Sequence, residues 1–225
     1  MVLVHGLAVS SRYMVPLARA LSPYWNVYAP DLPGYGRSET PDHPLPITSL
    51  AGILRSWTRN MHLRETILVG NSMGCQIIVE YLLQNSNEVQ ACVMLGPTMD
   101  VYARSTLAQV WRLFLDQFYE PPSLVPMQAF EYLRFGPIRT AVTFLNALDH
   151  DMHGKLAAIR IPTLVMRGSK DPIVSQRWVN TLSRTLPQAR LLNVPGAGHA
   201  LNYNSPSVVA DELRRFYFSI QRRAA

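Results

Sequence analysis

Residues 66–78 read Thr66-Ile67-Leu68-Val69-Gly70-Asn71-Ser72-Met73-Gly74-Cys75-Gln76-Ile77-Ile78, a β-branched run, then Gly-x-Ser-x-Gly, then an apolar stretch of helical period. Glycine two residues before and two after a serine lets a strand reverse into a helix so sharply that side chains at those positions would collide. Such a turn lifts Ser72 to the N-terminus of the following helix, where unpaired N–H groups and the helix dipole favour a developing negative charge. Ser72 is therefore a candidate nucleophile, and the Met73 N–H a candidate oxyanion donor. The five-residue motif alone fits an ordinary turn equally well; the strand before it and the helix after it favour catalysis.

The rest of the chain keeps the same rhythm. Short apolar runs predict strands at 2–4, 25–29, 66–69, 91–95, 162–167 and 190–194. Helical spacing predicts helices near 11–21, 47–61, 73–85, 174–186 and 205–220. This β-α order predicts an α/β fold: a mostly parallel sheet of about six strands, with right-handed crossovers and helices on both faces. A chain of 225 residues has room for one large core and little for a second domain. The interval 98–153 departs from the rhythm, with Trp111, Phe114, Phe118, Tyr119, Phe130, Tyr132, Phe135 and Phe144 at helix-like spacings broken by Pro121-Pro122 and Gly136-Pro137. It reads as a helical cap inserted into a core formed by 1–97 and 154–225. No polar linker flanks it, so cap and sheet are expected to fold as one unit.

Composition narrows the function classes. Apolar residues at 48% and charged residues at 16% exclude a disordered or fibrous chain. The formal charge of +6 would suit an acidic partner if it were clustered, but the tightest group is Arg222-Arg223, so no nucleic-acid partner is expected. Cys75 and Cys92 stand in a helix start and an apolar run and imply no disulfide framework. No stretch reaches the ~18 apolar residues needed to span a bilayer, and Met1 to Gly6 carries neither a basic region nor a long apolar one. A soluble cytoplasmic protein is expected.

Three further segments supply partners for Ser72. Val2-Leu3-Val4-His5-Gly6-Leu7 is a strand ending in His-Gly, and the glycine lets the loop turn back over the nucleophile, making the Leu7 N–H the second oxyanion donor. His5 precedes the serine and is read as bracing that loop. In Leu191-Leu192-Asn193-Val194-Pro195-Gly196-Ala197-Gly198-His199 an apolar strand runs into a small-residue loop that can carry an imidazole toward the serine, so His199 is the candidate base. His43, His62, His150 and His153 lack such a setting and read as loop, helix-surface or cap residues. Asp171 follows the strand Pro162 to Arg167 and a tight loop, and is the candidate acid; a turn-forming aspartate is the plain alternative. Asp100, which also follows a strand, is its rival. The order Ser72, Asp171, His199 is the order this kind of elbow requires.

On these residues the chain resembles the α/β-hydrolase superfamily, through His5-Gly6, Asp31-Leu32-Pro33-Gly34-Tyr35-Gly36-Arg37-Ser38, Gly70 to Gly74, Gly168 to Asp171 and Gly198-His199. That pattern usually has two more strands before the His-Gly strand; either the sheet is short at that edge or the sequence as given omits native residues. Gly70 to Gly74 and Met94-Leu95-Gly96-Pro97 also resemble carbon–carbon bond hydrolases of ring-fission diketones, which differ at Cys75 and Ala200. Relatives that use an aspartate nucleophile are excluded by Ser72.

The chemistry expected is acyl transfer from a small, mainly apolar ester to water, with no metal and no organic cofactor implied by any cluster. The aromatic cap either lines an apolar pocket or simply needs a core of its own. Two alternatives stand beside the esterase. Carbon–carbon hydrolysis requires a cationic grip in the cap, for which Arg104, Arg112, Arg134 and Arg139 are available. A ligand receptor on the same scaffold would keep the triad without turnover.

Overall fold

The computed structural model describes residues 1–84 and 86–224. Its first half runs β1 (Val2–Val4), α1 (Ser11–Leu21), α2 (Ile47–Asn60), β2 (Thr66–Asn71), α3 (Met73–Gln84) and β3 (Val89–Leu95). Three helices follow, α4 (Thr106–Asp116), α5 (Leu124–Phe135) and α6 (Pro137–Asp149), with a 3-10 turn at His153–Ala158. The chain then returns to β4 (Thr163–Gly168), α7 (Gln176–Thr185), β5 (Ala189–Val194), α8 (Leu201–Asn204) and α9 (Pro206–Ala224). Asn85, the last residue of the helix expected at 73–85, lies outside the described residues.

All pairings are parallel and the strand order is β1-β2-β3-β4-β5. Successive side chains on a strand point to opposite faces, and the apolar residues divide accordingly into two cores. Leu68, Cys92, Met94 and Val165 meet Leu50 and Leu54 of α2, Ile77 of α3 and Trp178 of α7. Val69, Val93, Leu95 and Met166 meet Met14 and Leu17 of α1 and Val209 and Leu213 of α9. Burial on both faces explains why these strands read as unbroken apolar runs rather than alternating ones.

The strand expected at 25–29 does not form, and among the described residues the sheet has five strands where about six were expected. Tyr28 makes one isolated bridge to Val2, its N–H bonding Met1 O at 2.9 Å while Leu3 N–H bonds Tyr28 O at 2.8 Å. The edge it meets is three residues long, and Pro30 has no N–H with which to continue a ladder.

Helices α4–α6 lie between β3 and β4 in sequence. Their end is tied back to α3 by Gln76 Nε2 donating to Ala147 O at 2.8 Å and by His150 Nε2 meeting Glu80 Oε1 at 2.6 Å. Lys155 also pairs with Glu80. The aromatic side chains of this stretch do not all turn inward: Phe135 and Phe144 are buried, whereas Trp111, Phe114, Phe118 and Phe130 are exposed.

Candidate active site

Ser72 stands between β2 and α3 with φ of 55°, in the left-handed region that costs a non-glycine residue roughly 1–3 kcal/mol. The turn is held by Ser72 N–H donating to Leu95 O at 2.9 Å and Cys75 N–H donating to Ser72 O at 3.0 Å. The flanking glycines are required sterically. A Cβ on Gly70 would stand 2.8 Å from the Gly74 backbone, and one on Gly74 would stand 2.3 Å from Val4 O.

Asp171 and His199 meet at the same edge of the sheet. Asp171 is held by its Oδ1, which accepts Ile173 N–H at 2.8 Å and Val174 N–H at 3.0 Å, while Oδ2 meets His199 Nδ1 at 2.8 Å. Nδ1 must donate there, so a neutral imidazole presents its lone pair on Nε2. That Nε2 is buried and has no hydrogen-bond partner among the described residues. Gly96, on the loop after β3, leaves room for the pair, since a Cβ there would lie 2.8 Å from His199 Nδ1.

Ser72 and His199 line one cavity of about 420 Å³, and Leu7 and Met73 line it with them. Asn71 Nδ2 reaches Leu95 O at 3.2 Å and His199 O at 3.4 Å, linking the turn to the histidine loop. Asp100 is occupied elsewhere: Oδ2 accepts Arg112 Nη1 at 2.9 Å and Ser175 N–H at 3.1 Å, and Oδ1 accepts Tyr102 N–H at 2.9 Å. His5 lies beside the turn rather than in it. Its Nδ1 donates to Gly6 O at 2.9 Å and its Nε2 accepts Leu32 N–H at 3.1 Å, so it is a neutral brace. Burial, opposed by the Gly6 bond and Asp31, lowers its pKa to about 4.

Two carboxylates absent from the sequence reading surround His199. Glu120 accepts Ala200 N–H at 2.7 Å on Oε1 and Asn204 Nδ2 at 2.8 Å on Oε2. Asp116, the last residue of α4, is buried on the cavity wall with Oδ1 unpartnered. Burial, with Glu120 and Asp171 nearby and His199 opposing, raises Asp116 to about 7. For His199 burial works against the charged form, but Asp171, Asp116 and Glu120 outweigh it and raise the pKa to about 9. No signal in the sequence points to Asp116, because α4 buries its polar side and exposes its apolar one, the reverse of what helical spacing predicts.

Among the described residues no arginine or lysine lines the cavity. Arg112 is held by Asp100 and Ile173 O, Arg104 pairs with Asp151 at 3.7 Å, Arg139 bonds the carbonyls of Pro41 and Asp42, and Arg134 is exposed. The cationic grip that carbon–carbon hydrolysis would need is not provided by these four.

Parallel sheet, strained serine turn and histidine–aspartate pair define one class of protein, and the model of the alpha/beta hydrolase family matches residues 1–212. The chain belongs to the α/β-hydrolase family. A pimeloyl-[acyl-carrier protein] methyl ester esterase of Xanthomonas campestris is 25% identical over 245 aligned residues, covering 96% of this chain and 94% of the relative. Lipase 1 of Psychrobacter immobilis is 23% identical, covering 96% and 76%. Among solved structures, a thermophilic esterase from Thermogutta terrifontis superposes with a TM-score of 0.83 at 21% identity, over 97% of this chain and 89% of that one. A meta-cleavage product hydrolase from Pseudomonas fluorescens superposes at 0.79 with 21% identity, over 97% and 90%. These structural likenesses concern the fold.

Proposed function

We propose that the protein is a serine hydrolase that cleaves an ester of a small, mainly apolar acid through an acyl-enzyme. The observation that carries this reading is that His199, bonded to Asp171 through Nδ1, has its free Nε2 buried in the residue that shares a cavity wall with Ser72. In this reading His199 takes the Ser72 proton, Ser72 attacks the ester carbonyl, and the Leu7 and Met73 amides hold the oxyanion. The alcohol leaves with the proton from His199, and water then releases the acid by the reverse roles.

Helices α4–α6, within 98–153, act as a cap over a core of 1–97 and 154–225. Apolar cavity residues such as Met99, Leu113, Phe144 and Ile173 suit an apolar acyl group. The naming of the Xanthomonas campestris relative as a methyl ester esterase supports ester chemistry. Buried, unpaired Cys75 and Cys92 suit a reducing compartment such as the cytoplasm.

The test is turnover of a panel of short-chain p-nitrophenyl and methyl esters by the full chain. Ser72→Ala abolishes turnover with the melting curve retained, and Asp171→Asn lowers it by on the order of a thousandfold or more, whereas Asp100→Asn costs far less. Ester turnover that survives Ser72→Ala refutes the reading.

A further inference from the structure

Among the described residues, two that line the cavity carry a buried polar side-chain atom with no hydrogen-bond partner, His199 with Nε2 and Asp116 with Oδ1. Proton transfer from Ser72 accounts for the first. Nothing in the esterase mechanism accounts for the second, and buried polar atoms are otherwise nearly always paired. A ligand of alkyl carbon alone would leave this carboxyl without a partner inside a filled cavity, which is costly. A ligand that brings it a hydrogen bond removes that cost.

The surroundings fix the chemistry of the missing partner. Burial comes first among the causes that place the Asp116 pKa at about 7, with Glu120 and Asp171 adding to it and His199 opposing. Near pH 9, where His199 becomes free to act as a base, Asp116 is therefore ionised and only accepts hydrogen bonds. A substrate carboxylate would be repelled, since among the described residues no arginine or lysine lines the cavity to hold it. A substrate ammonium would stand close to His199 as that ring takes the Ser72 proton, and like charges repel. An uncharged O–H or N–H meets neither objection. Leu113 lies three residues before Asp116 on the same face of α4 and shares the cavity wall, so the group that meets Asp116 belongs to the acyl part that the apolar wall suits.

We infer that Asp116 sets substrate preference by accepting a hydrogen bond from an uncharged O–H or N–H on the acyl group, so that hydroxyacyl and amidoacyl esters are selected over plain alkyl esters and over half-esters of diacids. This rests on the esterase reading above and narrows it. A site with a buried polar group to satisfy rejects the analogue that lacks the partner far more strongly than an apolar pocket rejects by size. An apolar side chain of similar shape removes the unpaired carboxyl together with its cost, so Asp116→Leu should fold as the parent does.

The test is kcat/KM of the full chain at a pH of about 9 for methyl hexanoate, for methyl hexanoates hydroxylated at the second, third or last carbon of the acid, and for monomethyl adipate. At least one hydroxy ester is expected to exceed methyl hexanoate by about tenfold or more, and monomethyl adipate to fall below it. In Asp116→Leu the ratio of hydroxy to plain ester should fall to about one, whereas Asp116→Asn, which keeps an acceptor oxygen, should retain part of it. Each ratio is taken within one protein, so a change in His199 basicity cancels from it. Methyl hexanoate turned over as well as every hydroxy ester, or a preference that survives Asp116→Leu, would overturn the inference and leave the esterase reading standing. If the parent turns over no ester the esterase reading falls, and its melting shift in these esters decides the inference instead: a larger shift with a hydroxy ester, abolished in Asp116→Leu, upholds the binding site, and equal shifts overturn it.

Discussion

Glu120, in the turn after α4, accepts a hydrogen bond from the backbone N–H of Ala200, the residue after His199, at 2.7 Å. Residues eighty apart in sequence thus share one bond, and the helical insertion directly holds the loop that carries the histidine. Removing the acceptor leaves Ala200 N–H buried and unsatisfied, at a cost of roughly 1–3 kcal/mol. Glu120→Ala should lower the urea midpoint accordingly and reduce kcat more than it raises KM. Glu120→Gln, which keeps an acceptor for Ala200, should recover most of both. Equal loss of kcat in the two variants would show that the carboxylate charge, not the bond, is what matters.

The negative charges around His199 set a pH dependence. Burial favours the neutral imidazole, but Asp171, Asp116 and Glu120 outweigh it and raise the His199 pKa to about 9, so the fraction of His199 free to accept the Ser72 proton grows as pH rises toward that value. The rate at limiting ester should therefore climb with pH and reach half its plateau near pH 9. Asp116→Asn removes a charge that favours the imidazolium, and should move the midpoint toward neutrality. The folded-state pKa lies above the unfolded value of 6.5, so the stability contributed by His199 is full below pH 6.5 and is lost as pH rises to about 9. A rate profile with its midpoint unchanged in Asp116→Asn would contradict this electrostatic account.

Two glycines offer a steric test in opposite directions. Gly74→Ala sets a Cβ 2.3 Å from Val4 O, a backbone atom that cannot move without β1, and should destabilise the fold by about 3 kcal/mol or more. Gly52, inside α2, has nothing within 4 Å of a Cβ. Gly52→Ala should raise stability by roughly 0.5–1 kcal/mol. Chemical denaturation of the two variants beside the parent checks both signs.

The parts of the fold legible in the sequence were those written in local pattern. The helix expected at 11–21 is α1 itself, because Tyr13, Met14, Leu17 and Leu21 form one buried stripe and Ser10 caps it. Five of the expected strands pair as β1 to β5; in β1 to β4 apolar runs buried along nearly their whole length leave a strong signal, and β5, only partly buried, is marked by its own short apolar run. Residues 25–29 have the same local character and yet make only one bridge, since pairing depends on the length of the partner edge, which no local pattern records. The site divides in the same way. Ser72, Asp171 and His199 each sit where a strand ends in small residues, and the hydrogen bond from His199 to Asp171 joins two of them. Asp116 and Glu120 were not legible, because their importance comes from contact with residues near 200 and not from any motif around them. The aromatic insertion suggested a pocket wall or a second core; Phe144 fits the first, but Trp111 and Phe118 face solvent, an arrangement that only the orientation of α4 reveals.

The central claim is that the Ser72 hydroxyl is activated by its surroundings, and mass spectrometry of the intact protein after treatment with a fluorophosphonate at a pH of about 9, where His199 is deprotonated in a large share of the molecules, tests it without any knowledge of the substrate. One phosphonyl adduct per chain is expected, located on the peptide bearing Ser72, and absent in both Ser72→Ala and His199→Ala. A parent protein that stays unmodified, or one labelled as readily when Ser72 is alanine, would contradict the account.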